Sequence, residues 1–172
     1  MDNWLVTKEL PIHFVAACGL VYKEERVLLI HTTRRGWDMP GGVIEPGEPI
    51  LEGLQREILE ETGIESIPVS FVGIYQNLSQ KKGYGPLEGM KLPPVVNLTF
   101  CCQYIGGTEH ITEECDDVGW FTAEEAKERV GDRFPTIQRK LDDLLAFDGT
   151  LNFVTFKKED LDEEILGEEK LN

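Results

Sequence analysis

Two apolar, β-branched runs come first in the hydrophobic pattern: residues 12 to 22 (IHFVAACGLVY) and 26 to 32 (RVLLIHT), joined by the polar KEE. Runs of this length around a charged turn predict two antiparallel strands in a hairpin. The next apolar positions follow a different period. Leu51, Leu54 and Ile58 recur at helical spacing between Pro49 and Gly63. Proline suits a helix's first turn and glycine its stop, so the spacing predicts a helix of about 13 residues with those three side chains buried. Strands are expected again at 67 to 76 (IPVSFVGIYQ), within 92 to 107, where Gly106 and Gly107 end the run, and at 118 to 121 (VGWF). Thr122 and Glu125 form a capping box that opens a helix over AEEAKERV. From Phe134 to Phe147 a second helical pattern places Ile137, Leu141, Leu144 and Leu145 on one side. TLNFVTF, at 150 to 156, reads as a closing strand at a sheet edge, where a second subunit could pair. Strands before and after one central helix, with two helices late, predict an α/β/α sandwich around a mixed β-sheet.

Two stretches read as loops. TRRGWDMPGG, at 33 to 42, delivers the hairpin to the central helix, and its Arg34 and Arg35 are candidate phosphate contacts because a guanidinium fork matches phosphate oxygens. SQKKGYGPLEGMK, at 79 to 91, is long for a loop, which marks it as a substrate lid with Tyr84 as a base-stacking side chain.

The chemistry concentrates on the central helix. Glu57, Glu60 and Glu61 share one face there, with Glu48 just ahead of the helix. Like charges one turn apart oppose a helix unless a cation lies between them, and clustered hard oxygen donors suit Mg²⁺ or Mn²⁺. Gly53, one turn before Glu57, weakens the helix and is read as making room for something bulky beside the acids. A solvated acidic face is the ordinary explanation of E-x-x-E-E alone. The surrounding residues change that. Gly42, Glu48, Arg56, Glu57, Ile58, Glu60, Glu61, Gly63 and Ile64 match, without a gap, the pattern G-x5-E-x7-R-E-U-x-E-E-x-G-U, U being aliphatic. The stretch resembles the Nudix box.

That resemblance implies the Nudix α/β/α fold and hydrolysis of a nucleoside diphosphate linked to another moiety. Glu57 and Glu61 are the expected metal ligands, Glu60 a ligand or water-mediated partner, and the carbonyl near Gly41 a further contact. Arg56 orients a carboxylate, with Glu48 as its partner, and the general base is open among Glu60, Glu114 and Glu48. Glu114 stands a few residues before the W-F pair, where relatives often carry an additional acid; Asp116 and Asp117 are its alternatives. Three functions are consistent with the box: a pyrophosphatase of ordinary or oxidised nucleoside triphosphates, an ADP-ribose or other nucleoside-diphosphate-sugar or dinucleotide pyrophosphatase, and a non-catalytic nucleotide-sensing module. The second is weakened because relatives with such preferences often carry proline or tyrosine some sixteen residues past the box, where this chain has Gln80. The intact glutamates speak against the third. Dimers are frequent among relatives, so a homodimer is one expectation.

Composition narrows the class. At 172 residues and 41% hydrophobic content the chain is long enough for one core, expected over residues 1 to 158, with 159 to 172 as a frayed acidic tail. A net charge of −15 argues against a nucleic-acid backbone as partner and requires a divalent metal to screen any small phosphorylated substrate. No run of 18 apolar residues exists, and MDNWLVTKELP lacks the features of a secretory signal, so no membrane association and a cytoplasmic location are expected. Cys18, Cys101, Cys102 and Cys115 show no C-x-x-C spacing, and adjacent Cys101 and Cys102 are expected on opposite faces of a strand as reduced, buried side chains. His13, His31 and His110 are isolated and read as structural.

Overall fold

The computed structural model describes residues 12–83, 87–159 and 162–172; Tyr84, the expected stacking residue, lies outside them. The elements in chain order are β1 (Phe14–Lys23), β2 (Arg26–Thr32), β3 (Gly36–Asp38), β4 (Gly41–Val43), α1 (Ile50–Thr62), β5 (Ile64–Asn77), β6 (Lys81–Lys82), β7 (Lys91–Leu92), β8 (Val95–Gly107), β9 (Asp117–Phe121), α2 (Ala123–Val130), α3 (Pro135–Leu145), β10 (Leu151–Glu159) and β11 (Asp162–Leu171). Nine strands form one sheet in the order β11-β10-β5-β8-β1-β2-β3, with β4 paired to β1 and β9 to β2. The sheet is mixed, because β1 runs parallel to β8 and β10 parallel to β5. The stretch expected as a plain loop before α1 thus contains two short strands, and the lid stretch carries the small hairpin β6–β7.

Two apolar layers sandwich the sheet. On one face Leu54 and Ile58 of α1 pack with Ala17, Val21, Phe100 and Cys102. On the other, Ala126 of α2 and Ile137, Leu141 and Leu144 of α3 pack with Cys18, Leu20, Leu29 and Cys101. Alternation along β8 therefore sends Cys101 and Cys102 to opposite layers, and all four cysteines are free and buried. The expected α/β/α sandwich is the observed one.

Helix α1 occupies the predicted 13 residues, but Pro49 is its N-cap rather than a first-turn residue. Gly63, at φ 75°, takes the left-handed stop and donates its N–H to the Leu59 carbonyl. Leu51 is 48% exposed, against expectation. The whole first turn, Ile50 to Glu52, faces solvent, and burial begins at Gly53, where the helix meets Glu48 and Ile44.

The acidic C-terminal stretch is not frayed. Strand β11 pairs along β10 and takes the edge position, which leaves β10 enclosed rather than open. Opposite charges explain the pairing: Lys157 faces Glu164 and Lys158 faces Glu163 across the strands, while Ile165 covers Tyr75, Val154 and Phe156. Glu163, its side chain 2% exposed, accepts from Lys158 Nζ at 2.6 Å. It also accepts the Thr136 N–H at 3.1 Å and the Thr136 hydroxyl, so it caps α3, whose N-cap Phe134 offers no side-chain cap.

Glu163→Ala should strip a buried pair of one member and lower unfolding free energy by about 3 kcal/mol. Burial raises the Glu163 carboxyl, yet Lys158 and Thr136 outweigh it and hold it below 4.5. A depressed folded value contributes stability present above 4.5 and lost as pH falls through it, so wild-type and variant denaturation midpoints should converge in acid. An unchanged midpoint at neutral pH would show that β11 is not fastened through this carboxylate.

Candidate active site

The site forms where β4 meets α1. Strand β4 pairs with the first half of β1, Cys18 opposite Gly41 and Ala17 opposite Gly42. A side chain at Gly41, φ +143°, would strike the Ala17 carbonyl, and one at Gly42 would strike the Glu57 carboxyl. These glycines let helix and strand approach until the Gly41 N–H donates to Glu61 Oε2 at 2.8 Å. Glu57 and Glu61, one turn apart, thus stand against consecutive residues of one strand.

Burial dominates both carboxyls. It pushes Glu61 up to about 7, opposed by the Gly41 N–H and reinforced by the charge on Glu57, with Arg35 and Asp38 acting in opposite senses. Glu57 is also raised by burial, against the pull of Arg56 and with Glu60 and Glu114 adding repulsion.

Arg56 ties the acids together. Its Nε and Nη2 donate to Glu48 at 3.0 and 2.7 Å, and its Nη1 donates to both Glu57 and Glu60 at 3.0 Å. The expected Arg56–Glu48 pair is present as a two-pronged contact. Arg56, helped by the Glu45 N–H, holds the Glu48 carboxyl down at about 2. A Cβ on Gly53 would lie 2.6 Å from Glu48 Oε1 and 2.9 Å from Ile44 Cδ1. The room made by Gly53 is therefore taken by Glu48, not by a ligand.

Among the described residues no three His, Cys, Asp or Glu side chains already surround one point. The donor set nonetheless fits a hard divalent cation. Glu57 and Glu61 are oxygen donors driven toward protonation by burial, with mutual repulsion adding to that drive at Glu61, which a cation would reverse.

Glu114 lies exposed in the segment before β9, near enough for its charge to act on Glu57. Its alternatives are engaged elsewhere. Asp116 pairs with His31 Nδ1 at 2.5 Å, and Asp117 accepts the Val118 N–H at 2.9 Å. Arg34 is exposed between β2 and β3, and Arg35 pairs with Asp38 at 3.3 Å. Sequence reasoning missed Asp38, which is 5% exposed and acts electrostatically on Glu61. One aspartate between tryptophan and methionine carries no spacing signal. It also missed a polar row inside two apolar strands, where Cys18 Sγ and Thr99 Oγ1 each donate to Asn97 Oδ1 at 3.2 Å.

The profile of the NUDIX domain matches residues 12–141. A MutT-like protein of Streptomyces ambofaciens is 34% identical over 124 residues, 71% of this chain and 72% of that protein. The 8-oxo-dGDP phosphatase NUDT18 of Danio rerio is 30% identical over 116 residues, 65% of this chain and 31% of its own length. In three dimensions the MutT protein of Bacillus halodurans matches with a TM-score of 0.69 at 26% identity, covering 91% of this chain and 97% of that one. With a family profile that runs from the residues before β1 into α3 and a signature helix that is intact, this chain belongs to the NUDIX family and is a Nudix hydrolase.

Proposed function

We propose that the chain hydrolyses a phosphoanhydride of a nucleoside triphosphate, oxidised bases included, with Mg²⁺ as its ion and Mn²⁺ as a substitute. The observation that carries this is the pair Glu57 and Glu61: half-buried, one turn apart and both raised, they are costly to ionise unless a cation sits between them. The relative named for 8-oxo-dGDP supports a nucleotide with a damaged base.

Glu57 and Glu61 would hold the ion, with Glu60 and the Gly41 carbonyl as further donors. The bound cation supplies Lewis acidity toward the phosphoanhydride and acidifies water. Arg56 fixes Glu57 and Glu60 in place and is itself fixed by Glu48. A carboxylate held at about 2 is a poor proton acceptor, so Glu48 orients rather than reacts. Glu114, exposed beside Glu57, takes the proton as water adds to one phosphorus and the bridging oxygen leaves with the other phosphate. Arg34 and Arg35 meet the remaining phosphate oxygens. Asn97, on β8 across β1 from β4 and only partly buried, offers a hydrogen bond to a base.

Chromatography of the products formed from a panel of ordinary and 8-oxo nucleoside triphosphates and ADP-ribose, with and without Mg²⁺, tests the proposal. Cleavage of ADP-ribose in preference to every triphosphate would overturn the substrate assignment.

Glu57→Gln and Glu61→Gln should each lower kcat/KM by more than about a hundredfold; full turnover in either would remove the metal assignment. The folded Glu61 value of about 7 lies above the ordinary 4.5, so its stabilising share is complete below 4.5 and lost as pH rises through 7. Without metal, Glu61→Gln should therefore melt close to wild type at pH 4 and above it at pH 8.

Binding an ion must displace the proton held at Glu61. Calorimetric Mn²⁺ titrations should show affinity rising between pH 6 and 8 in wild type, with protons released to the buffer. An affinity flat across that range would exclude Glu61 as a ligand.

A further inference from the structure

Between β8 and β9, residues 108 to 116 form no helix or strand, yet they are fastened along their length. At the start, Glu109 accepts the indole N–H of Trp120, the His110 N–H reaches the Thr62 carbonyl at 3.0 Å, and the His110 ring lies against Gly63 at the end of α1. In the middle, Thr112 Oγ1 accepts the N–H groups of Glu114 and Cys115 at 3.3 and 3.1 Å, and Cys115 is fully buried. At the end, Asp116 is held twice by one residue. Its N–H donates to the His31 carbonyl at 3.0 Å, and its carboxylate receives His31 Nδ1 at 2.5 Å. The His31 ring is in turn set edge-on against Trp37, centroids 5.3 Å apart.

Between the middle and the end stands Glu114, whose charge is felt at Glu57. The His31–Asp116 contact is about one third to one half exposed, and side-chain pairs so placed contribute little to global stability. A local task accounts for it better. We propose that His31 and Asp116 are positioning residues that hold this segment so that Glu114 faces Glu57 and the reacting water. The proposal rests on the hydrolytic function above and on Glu114 as proton acceptor.

The test is a set of crossed variants assayed with a nucleoside triphosphate and Mg²⁺, alongside hydrogen exchange of the segment. His31→Ala and Asp116→Asn should each lower kcat by about tenfold, with KM changed less than twofold, because misplacing a reacting group costs the chemical step. His31→Gln, which keeps an N–H donor, should recover part of that loss. In a Glu114→Gln background, His31→Ala should cost nothing further. Amides of residues 113 to 116 should exchange faster in His31→Ala while the melting temperature barely moves. The proposal is overturned by an equal loss of kcat with and without Glu114, by Glu114→Gln at full kcat, or by unchanged exchange in His31→Ala. Wild-type protein that cleaves no nucleotide would instead sink the hydrolytic reading, and the exchange experiment would still decide whether His31 holds the segment.

Discussion

Glu57 and Glu61 repel each other across one helical turn, and burial against β4 leaves little water to damp the repulsion. The chain tolerates it through three contacts. The Gly41 N–H takes Glu61, Arg56 takes Glu57, and Glu48 takes Arg56. Each is short, charge-assisted and built from residues within 21 positions of one another, from Gly41 to Glu61. None removes the desolvation that raises both carboxyls. If the pair holds the cation proposed above, the cost of gathering like charges is met by the fold before the ion arrives.

The fold's part is to fix helix and strand at that distance. Leu54 and Ile58 anchor α1 to the sheet through Ala17, Val21, Phe100 and Cys102, and β1 carries β4 on the same stretch. One strand thus positions both the helix and the glycines facing it. Gly63 then ends α1 one residue before β5 begins, and His110 closes over that turn, so the far end of the helix is fixed to the segment bearing Glu114. The two sides of the site share a support.

Local features were legible in the sequence and long-range ones were not. Helix α1 was readable because a proline, a glycine and a 3.6-residue period act within 15 positions, and α2 because Thr122 and Glu125 form a reciprocal cap. The Arg56–Glu48 pair was readable through the family pattern. Strand β11 was hidden because its glutamates look like a solvated run until Lys157 and Lys158 are seen opposite them. Asn97 was hidden for a related reason: its partner Cys18 lies 79 positions away and meets it only once β8 folds beside β1. Leu51 had the right period, but no sequence rule tells how far a helix overhangs its sheet.

Net charge sharpens the same division. At −15 the chain repels polyphosphate as a whole, but ionic screening limits that repulsion to about 8 Å at physiological salt. Selection of an anionic substrate therefore has to be local. Arg35 is held by Asp38 and acts electrostatically on Glu61, so a fixed positive charge lies beside the cluster that would hold the cation. A buried aspartate next to this acidic cluster would be costly by itself. Paired with Arg35, it orients that guanidinium, and under the proposed function the acidic protein would present two positive charges, one from Arg35 and one from the ion, to the same phosphate group.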